Sequence, residues 1–505
     1  MKKGEITKLP IEFYNRSFVF RKVKNLDNLS LSLNYFVQAF SAIFSDQINK
    51  ILISPSGDLI QQNTFNSFVE FFTSFYQTLF FDKYSSVPLE IDEYVYNHEK
   101  YDVLFKISLN KKLDYLVIDI LSFKNHKLTK ELLKKIKETY ELLNDMHFDT
   151  NKTNLVSLSL DKYLNYFASS NSTTGDFKKL KERYKSVLAF NFKTNTQKSL
   201  VSKMLKFYKN DYKIVPFAYN GFWRKIWFNL FSDLKKNKKH VHAIFNWQKN
   251  NTFQTWFKIN NKFELIESSD LALIYLNFFF EELKRSHEDL SEKYVVISHD
   301  SNYKLLKFLK QFKIKYYYFD EENHHSNINN PNCLFVYINN YFLSNTMSFK
   351  VFNNSYFLLC LIWMFNNYRN RNNLLTFKYK QLEDNFGITK TKIVEKAYQI
   401  DKLDNLIKAA TKFINLKHKH NLINKINVFN DYEDKKLFLF KLLTSKNHAV
   451  ILSYDFLKKK LVIQYQLCKQ YEYESRNIIL DFLLLKLEVR KILRISKKIL
   501  KNSAQ

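Results

Sequence analysis

The chain has 505 residues, 46% of them hydrophobic and 17% aromatic, and 79 Lys and Arg against 49 Asp and Glu give a net charge of +30. That length suits three or four units of ordinary size, and this much apolar material excludes general disorder. Only five glycines are present, Gly4, Gly57, Gly175, Gly221 and Gly387. With no two of them close together, neither a G-x-G-x-x-G turn nor a P-loop can be written, which excludes standard nucleotide-binding chemistry.

Apolar strand, loop and amphipathic helix recur in order along the chain. "KILISPSGDLI" reads as a strand with a turn and "NTFNSFVEFFTSFYQTLFF" as a helix. "KYDVLFKISLNKKLDYLVIDIL" reads as two strands about a polar turn, followed by a charged helix over 129–146 and a polar linker over 167–184. A second block opens with strand, loop and helix over 185–210, continues with the strand "DYKIVPFAYNG", and ends in the strand–loop–strand–helix stretch 243–283. Ser269 and Asp270 are suited to cap that last helix. A third block runs strand, loop, helix, strand over 292–320, then an asparagine-rich loop over 321–332. "CLFVYINNYFLSN" follows as a strand and turn, and "NSYFLLCLIWMFNNYRNR" as a strongly apolar helix. The last block pairs two antiparallel strands over 449–468 and closes with the helix "SRNIILDFLLLKLEVRKILRISKKIL". The expected class is α/β: three similar α/β units over 1–184, 185–293 and 294–395, then a smaller α+β unit over 396–505.

Cys333, Cys360 and Cys468 are scattered without a C-x-x-C pair and read as small buried hydrophobes in a reducing compartment. The start, "MKKGEITKLPIEF", lacks an apolar signal core, and the longest apolar run (356–365) is too short to span a bilayer and sits in an amphipathic pattern. A cytoplasmic protein without a transmembrane segment is expected. Heavy use of Lys, Asn, Ile and Phe points to an AT-rich gene, so part of the basic, aromatic character is codon drift. The net charge favours acidic partners. The densest lysine run, "DLKKNKKHVH" (233–242), reads as a solvated basic surface.

The order of these parts resembles the α-D-phosphohexomutase superfamily, the phosphoglucomutases and phosphomannomutases, whose three similar α/β domains and smaller C-terminal domain surround one cleft. The resemblance covers nearly the whole chain and rests on order and spacing. It places the phosphoserine loop at "ISLNKK", where Ser108 and Asn110 match and the family's His and Pro fall on Leu109 and Lys111. A serine nucleophile needs a neighbouring acid or base, and this loop offers lysines without a histidine. The Mg²⁺ loop falls on "NWQKNNTFQTWF", with the three acidic positions near Trp247, Lys249 and Asn251 and the arginine near Thr252. Mg²⁺ takes hard anionic oxygens in near-octahedral geometry, and a central lysine repels it. The sugar loop falls on "FVYINNYFLS", at Ile338, Asn339 and Asn340. The phosphate loop should follow the strand pair, at 462–474, which contains no Arg, Pro, Gly or Thr.

Two further stretches invite a chemical reading. Ser298, His299 and Asp300 in "ISHDS" look like a Ser-His-Asn motif but read as a helix N-terminus capped by Asp300 or Ser301. His324 and His325, with Glu322, offer metal-ligand types but read as a solvated loop.

Each of the four stations has lost chemistry while the frame persists. The expectation is a catalytically inactive phosphohexomutase-like protein, with no cofactor and no bound metal. It would be kept as a structural or assembly subunit of a cytoplasmic complex whose other subunits present acidic or apolar surfaces. A motor or motility machine is one setting of that kind. Two alternatives stay open: a basic nucleic-acid-binding protein, in which aromatics stack beside lysines, and residual sugar-phosphate binding or mutase activity, with Lys111, Lys249 and Lys469 as anion contacts.

Overall fold

A computed structural model describes residues 7–14, 17–44, 46–57, 62–83, 86–122, 129–144, 155–173, 186–207, 212–214, 241–248, 251–259, 262–319, 330–338, 340–344, 354–371, 375–399, 403–416, 422–429, 439–469 and 478–503. Their strands form four sheets. The first contains β1 (Ile11–Tyr14), β2 (Ser17–Arg21), β3 (Lys50–Gly57), β4 (Gln77–Phe81), β5 (Val103–Asn110), β6 (Tyr115–Ser122) and β7 (Leu155–Leu158), in the order β1-β2-β6-β5-β3-β4-β7. The second contains β8 (Val187–Asn191), β9 (Tyr212–Ile214), β10 (Val241–Trp247), β11 (Phe253–Ile259) and β12 (Lys262–Ile266), in the order β12-β11-β10-β8-β9. The third contains β13 (Tyr294–Ile297), β14 (Lys315–Tyr318), β15 (Cys333–Ile338) and β16 (Tyr341–Ser344), in the order β14-β13-β15-β16. The fourth, antiparallel throughout, contains β17 (Ile388–Ala397), β18 (Ile423–Phe429), β19 (Leu439–Thr444), β20 (Ala449–Asp455) and β21 (Lys460–Lys469), in the order β17-β21-β20-β19-β18. Helices flank the sheets, so the α/β class with several units is what the chain adopts.

Several local readings change. The expected helix over 63–81 stops at Thr73, and "QTLFF" becomes β4, paired in parallel with both β3 and β7. Its aromatic and branched side chains suit a strand buried on both faces. The expected linker from 167 is helical as far as Thr173, with Phe167 and Ala168 fully buried. The helix Ser268–Arg285 packs on the third sheet and on the helix Tyr303–Gln311: Tyr275 lies 5.4 Å from Phe335, and Phe280 lies 6.0 Å from Phe308. Strand β17 begins at Ile388 and pairs with β21 along its whole length, so a break at 396 cuts a hydrogen-bonded strand. Gly387 supplies the turn before it, with φ 91° and its N–H donating to the Glu383 carbonyl at 2.7 Å.

The apolar run 356–365 proves not to be amphipathic. It lies within the helix Asn354–Asn370, which buries fourteen of its seventeen residues and carries no charge before Arg369. A helix apolar on every side belongs inside the molecule. Phe365 meets Phe245 and Phe257 of the second sheet edge-on, while Phe357 lies 4.2 Å from Phe342 and 5.8 Å from Phe335 of the third. Ser186, just before β8, donates its N–H to the Asn366 side chain. One continuous core therefore runs through the second and third units and reaches one face of the first sheet. The opposite face of the first sheet and the fourth unit have cores of their own.

The fourth unit touches both of its neighbours. At the third, buried Lys441 donates to the carbonyls of His299 (3.3 Å) and Ser301 (2.9 Å). At the first, Lys459 pairs with Glu12 at 2.7 Å and Arg21 donates to the Leu457 carbonyl at 3.2 Å. Tyr14 and Phe456 pack 5.4 Å apart beside them.

Phe357→Ala removes a fully buried ring from the join between the second and third sheets. We expect a loss of about 3–5 kcal/mol, read as a lower urea midpoint with unchanged far-UV signal in buffer.

Candidate functional site

Ser108 does not sit in an open loop. It lies within β5, opposite Ser56 of β3 on one side and Val117 of β6 on the other, and is half-buried. The β5–β6 pairing continues to Asn110 opposite Tyr115, which leaves only Lys111–Asp114 for the turn. Asn110 stabilises that turn, accepting from the Leu113 N–H at 3.0 Å and donating to the Tyr115 hydroxyl at 3.2 Å. Lys111, in that turn, lies on the side of Leu109, which strand alternation puts on the face opposite Ser108. There it lines a cavity of about 260 Å³ with Val23, Leu109 and Asp114.

The face that Ser108 does share holds a polar cluster the sequence reading missed. Buried Lys106, two residues before Ser108, donates to the Val87 carbonyl (2.6 Å) and Ser54 Oγ (3.2 Å), and pairs with buried Asp92. Glu90, in the first turn of the same helix as Asp92, is also buried and accepts from Ser355 Oγ at 3.2 Å. Burial pushes the Glu90 carboxyl up to about 7, against hydrogen bonds from its own backbone and Ser355 and the attraction of Lys106. Burial likewise raises Asp92, opposed by Lys106. The available signal was parity: Lys106 occupies an inward position of an apolar strand, where a lysine needs a carboxylate partner.

The stretch assigned to the metal loop is a closed hairpin. Trp247 opposes Phe253, the Gln248 N–H donates to the Thr252 carbonyl at 2.7 Å, and Asn251 turns the chain with φ 61°. Trp247 is buried, with its ring 5.1 Å from that of Phe253. The Gln197 side chain donates to the Asn251 Oδ1 and the Gln248 carbonyl, each at 2.7 Å. Lys249 lies outside the described residues. These groups do not fit Mg²⁺: an indole replaces one ligand, the Asn251 amide oxygen is already engaged, and residues 246–252 contain no carboxylate. Among the described residues no group of three or more His, Cys, Asp or Glu is arranged to hold a metal ion.

At the sugar-loop positions, Ile338 is buried at the end of β15 and pairs with Tyr341, and Asn340 forms the turn with φ 71°. Asn339 lies outside the described residues. Asn354, at the start of the buried helix, joins this turn to the previous one. Its amide donates to the carbonyls of Asn251 (2.9 Å) and Asn340 (3.1 Å), and its oxygen accepts from the Phe342 N–H (3.1 Å). The next residue, Ser355, is the one that meets Glu90. Two of the assigned stations, and the cluster beside the third, thus converge on one helix N-terminus.

Of the fourth station, residues 462–469 are strand and Lys469 pairs with Ile388, while 470–474 lie outside the described residues. In the turn between β20 and β21, Lys458 pairs with Glu395 and Lys459 with Glu12. No described contact joins Lys111 to Lys469. "ISHDS" is a docking point: the His299 ring lies 4.9 Å from Tyr318 and 3.8 Å from Phe429, and the helix after it is capped by Asn302, not by Asp300 or Ser301. Burial pushes Lys441, which holds the His299 carbonyl, down to about 8, with Asp300 opposing the shift. Asp270 also does not cap: Glu267 precedes its helix, and Asp270 accepts from Asn302 and Lys304 at 2.7 Å each. Glu322, His324 and His325, and residues 233–240 of the lysine run, lie outside the described residues.

Comparison with solved structures identifies the fold. A protein of Thermus thermophilus described as a phosphomannomutase matches with a TM-score of 0.62 at 10% identity, covering 98% of this chain and 100% of its own. The open form of the Paramecium exocytosis-sensitive phosphoprotein pp63/parafusin, a phosphoglucomutase, matches at 0.66 and 9% identity, with 97% of each chain covered. The chain has the phosphohexomutase fold. A phosphoglucomutase/phosphomannomutase family protein of Burkholderia thailandensis agrees, at a TM-score of 0.63, 9% identity and coverage of 96% and 97%. No family model matches the sequence, and no curated protein matches it either. The phosphohexomutase fold is therefore carried here by a sequence only 9–10% identical to those of the matching structures.

Asn354→Ala leaves the buried Asn251 carbonyl, the part-buried Asn340 carbonyl and the Phe342 N–H without their partner. A loss of about 2–3 kcal/mol is expected in urea unfolding. Asn354→Asp should cost at least as much, because it sets a carboxylate oxygen against the same carbonyls.

Glu90 gives a pH signature. Its folded pKa is raised, so the folded state binds the extra proton between about 4.5 and 7, and stability falls as pH rises through that window. Glu90→Gln should flatten the fall, measured as urea midpoints across it. An unchanged slope would remove Glu90 as its source.

Proposed function

We propose that this phosphohexomutase-fold chain has no mutase activity and serves as a structural subunit of a cytoplasmic protein complex. The observation that carries the reading is the pair of hydrogen bonds from buried Asn354 to the Asn251 and Asn340 carbonyls. They tie together the places where the resemblance puts a metal loop and a sugar loop. The chemistry supports it further. A phosphoryl-transferring serine needs activation and charge neutralisation. Ser108 lies in a strand with no histidine in it or in the turn that follows, and the Trp247–Thr252 hairpin does not fit Mg²⁺. What the fold retains is a large, rigid, multi-faced body.

The purified protein should show no phosphoglucomutase or phosphomannomutase turnover with Mg²⁺ and a bisphosphate activator. Turnover above a no-protein control that Ser108→Ala abolishes would overturn the reading. Gentle purification from native cells should recover the chain with the same proteins in fixed ratios after nuclease treatment, with only partial loss at high salt, because apolar contacts are not screened. Affinity that falls steeply and linearly on a log–log salt plot, with association lost to nuclease, would instead mark a nucleic-acid binder.

A further inference from the structure

The C-terminal helix Ile478–Ser503 packs one side on the fourth sheet through Leu485, Val489, Ile492 and Leu493. Its opposite side is exposed. Ile479, Leu480, Leu483, Leu484 and Leu487 are between 39% and 68% exposed. At 100° per residue all five fall on one face, a stripe of about 12 Å. Further along, Arg490, Lys491, Arg494, Lys497 and Lys498 occupy the same angular sector and are exposed. The face therefore changes from aliphatic to cationic halfway along its length.

The helix's acids are turned inward. Asp481 is buried against Lys446 (2.7 Å) and His448 (3.2 Å), and buried Glu488 accepts from the backbone N–H groups of Leu422 (2.7 Å) and Ile423 (3.0 Å). Only Lys491 among the outer cations feels an acid of the helix, Glu488, so the exposed face is cationic on balance. The field of Arg490, Lys486 and Lys497 adds to burial in lowering the nearby Lys396 ammonium.

We propose that this face docks an amphipathic helix of a partner protein, whose aliphatic stripe covers Ile479–Leu487 and whose same face then presents Asp or Glu to Arg490–Lys498. The inference rests on the subunit reading and names its contact. Charge complementarity selects the occupant. A second copy would bring another chain of +30. A nucleic acid has no use for the leucines. A bilayer takes a helix whose apolar face runs its full length, whereas this one turns cationic on the same face. A leucine-to-acid helix answers both halves.

The test uses the full chain and a labelled 21-residue helical peptide, with leucines along one half of a face and glutamates along the other half of that face. Fluorescence anisotropy at physiological salt should show saturable binding. Leu483→Gln with Leu487→Gln, and separately Arg490→Glu with Arg494→Glu, should each weaken it at least tenfold. These positions are exposed, so the thermal melt should not move. A peptide with lysines replacing the glutamates should bind the Arg-to-Glu variant better than the unmodified chain. Several results would overturn the proposal: no saturable binding, or binding indifferent to every substitution. Leu483-dependent uptake by phosphatidylcholine–phosphatidylglycerol vesicles in preference to the peptide, displacement of the peptide by oligo-dT, or a dimer in sedimentation velocity that the leucine variant loses would do the same. If the native assembly forms equally well with the leucine variant, this surface fails while the subunit reading stands. A free monomer in native cells removes that reading instead.

Discussion

A helix with no charge along its first fifteen residues cannot face water, and in this molecule the rest of the architecture is arranged to cover Asn354–Asn370. Burying it brings to it the second and third sheets and, from the first unit, the helix Leu89–Glu99. It also imposes a cost at its N-terminus, where backbone N–H groups and the polar side chains Asn354 and Ser355 must find partners away from solvent. They find them in the carbonyls of two hairpin turns and in Glu90. Apolar burial and polar satisfaction therefore meet at one point, and that point is where the second and third units and the Glu90 cluster of the first converge.

The same constraint explains how the functional stations differ from those the fold family implies. An active cleft keeps polar groups uncommitted until a ligand arrives. Here those groups are committed to one another: Gln197 to Asn251, Asn354 to both turns, Lys106 to Asp92. Each bond contributes modestly to stability. Together they hold the two turns and the Glu90 cluster in place, as suits a chain proposed to act through its surface.

Much of the fold was legible because hairpins announce themselves by alternation. The β10–β11 pair around "NWQKNNTFQTWF" and the β20–β21 pair both stand where the pattern put them. What escaped depended on partners distant in sequence. The strand character of Gln77–Phe81 comes from β3 and β7 on either side, and the first-sheet helix Leu26–Phe44 drew no reading at all. Near the assigned stations, the hairpins that carry Ser108, Asn110 and Asn251 were readable from alternation. Their surroundings were not, since Lys106, Glu90 and Gln197 gain meaning only once the chain brings them into register. Of the stretch assigned to the phosphate loop, β21 takes the part as far as Lys469.

The contacts among the units also close a circuit. The first meets the third through Glu90 and Ser355, the third meets the fourth through Lys441, and the fourth returns to the first through Lys459 and Arg21. A chain of bodies joined end to end can swing at any joint, but a ring of three cannot open one joint without straining the others. Tension applied to the fourth unit is shared between two junctions instead of being released at one hinge. In mechanical terms the molecule behaves as a truss, stiff in a direction along which an open row of the same units would be compliant.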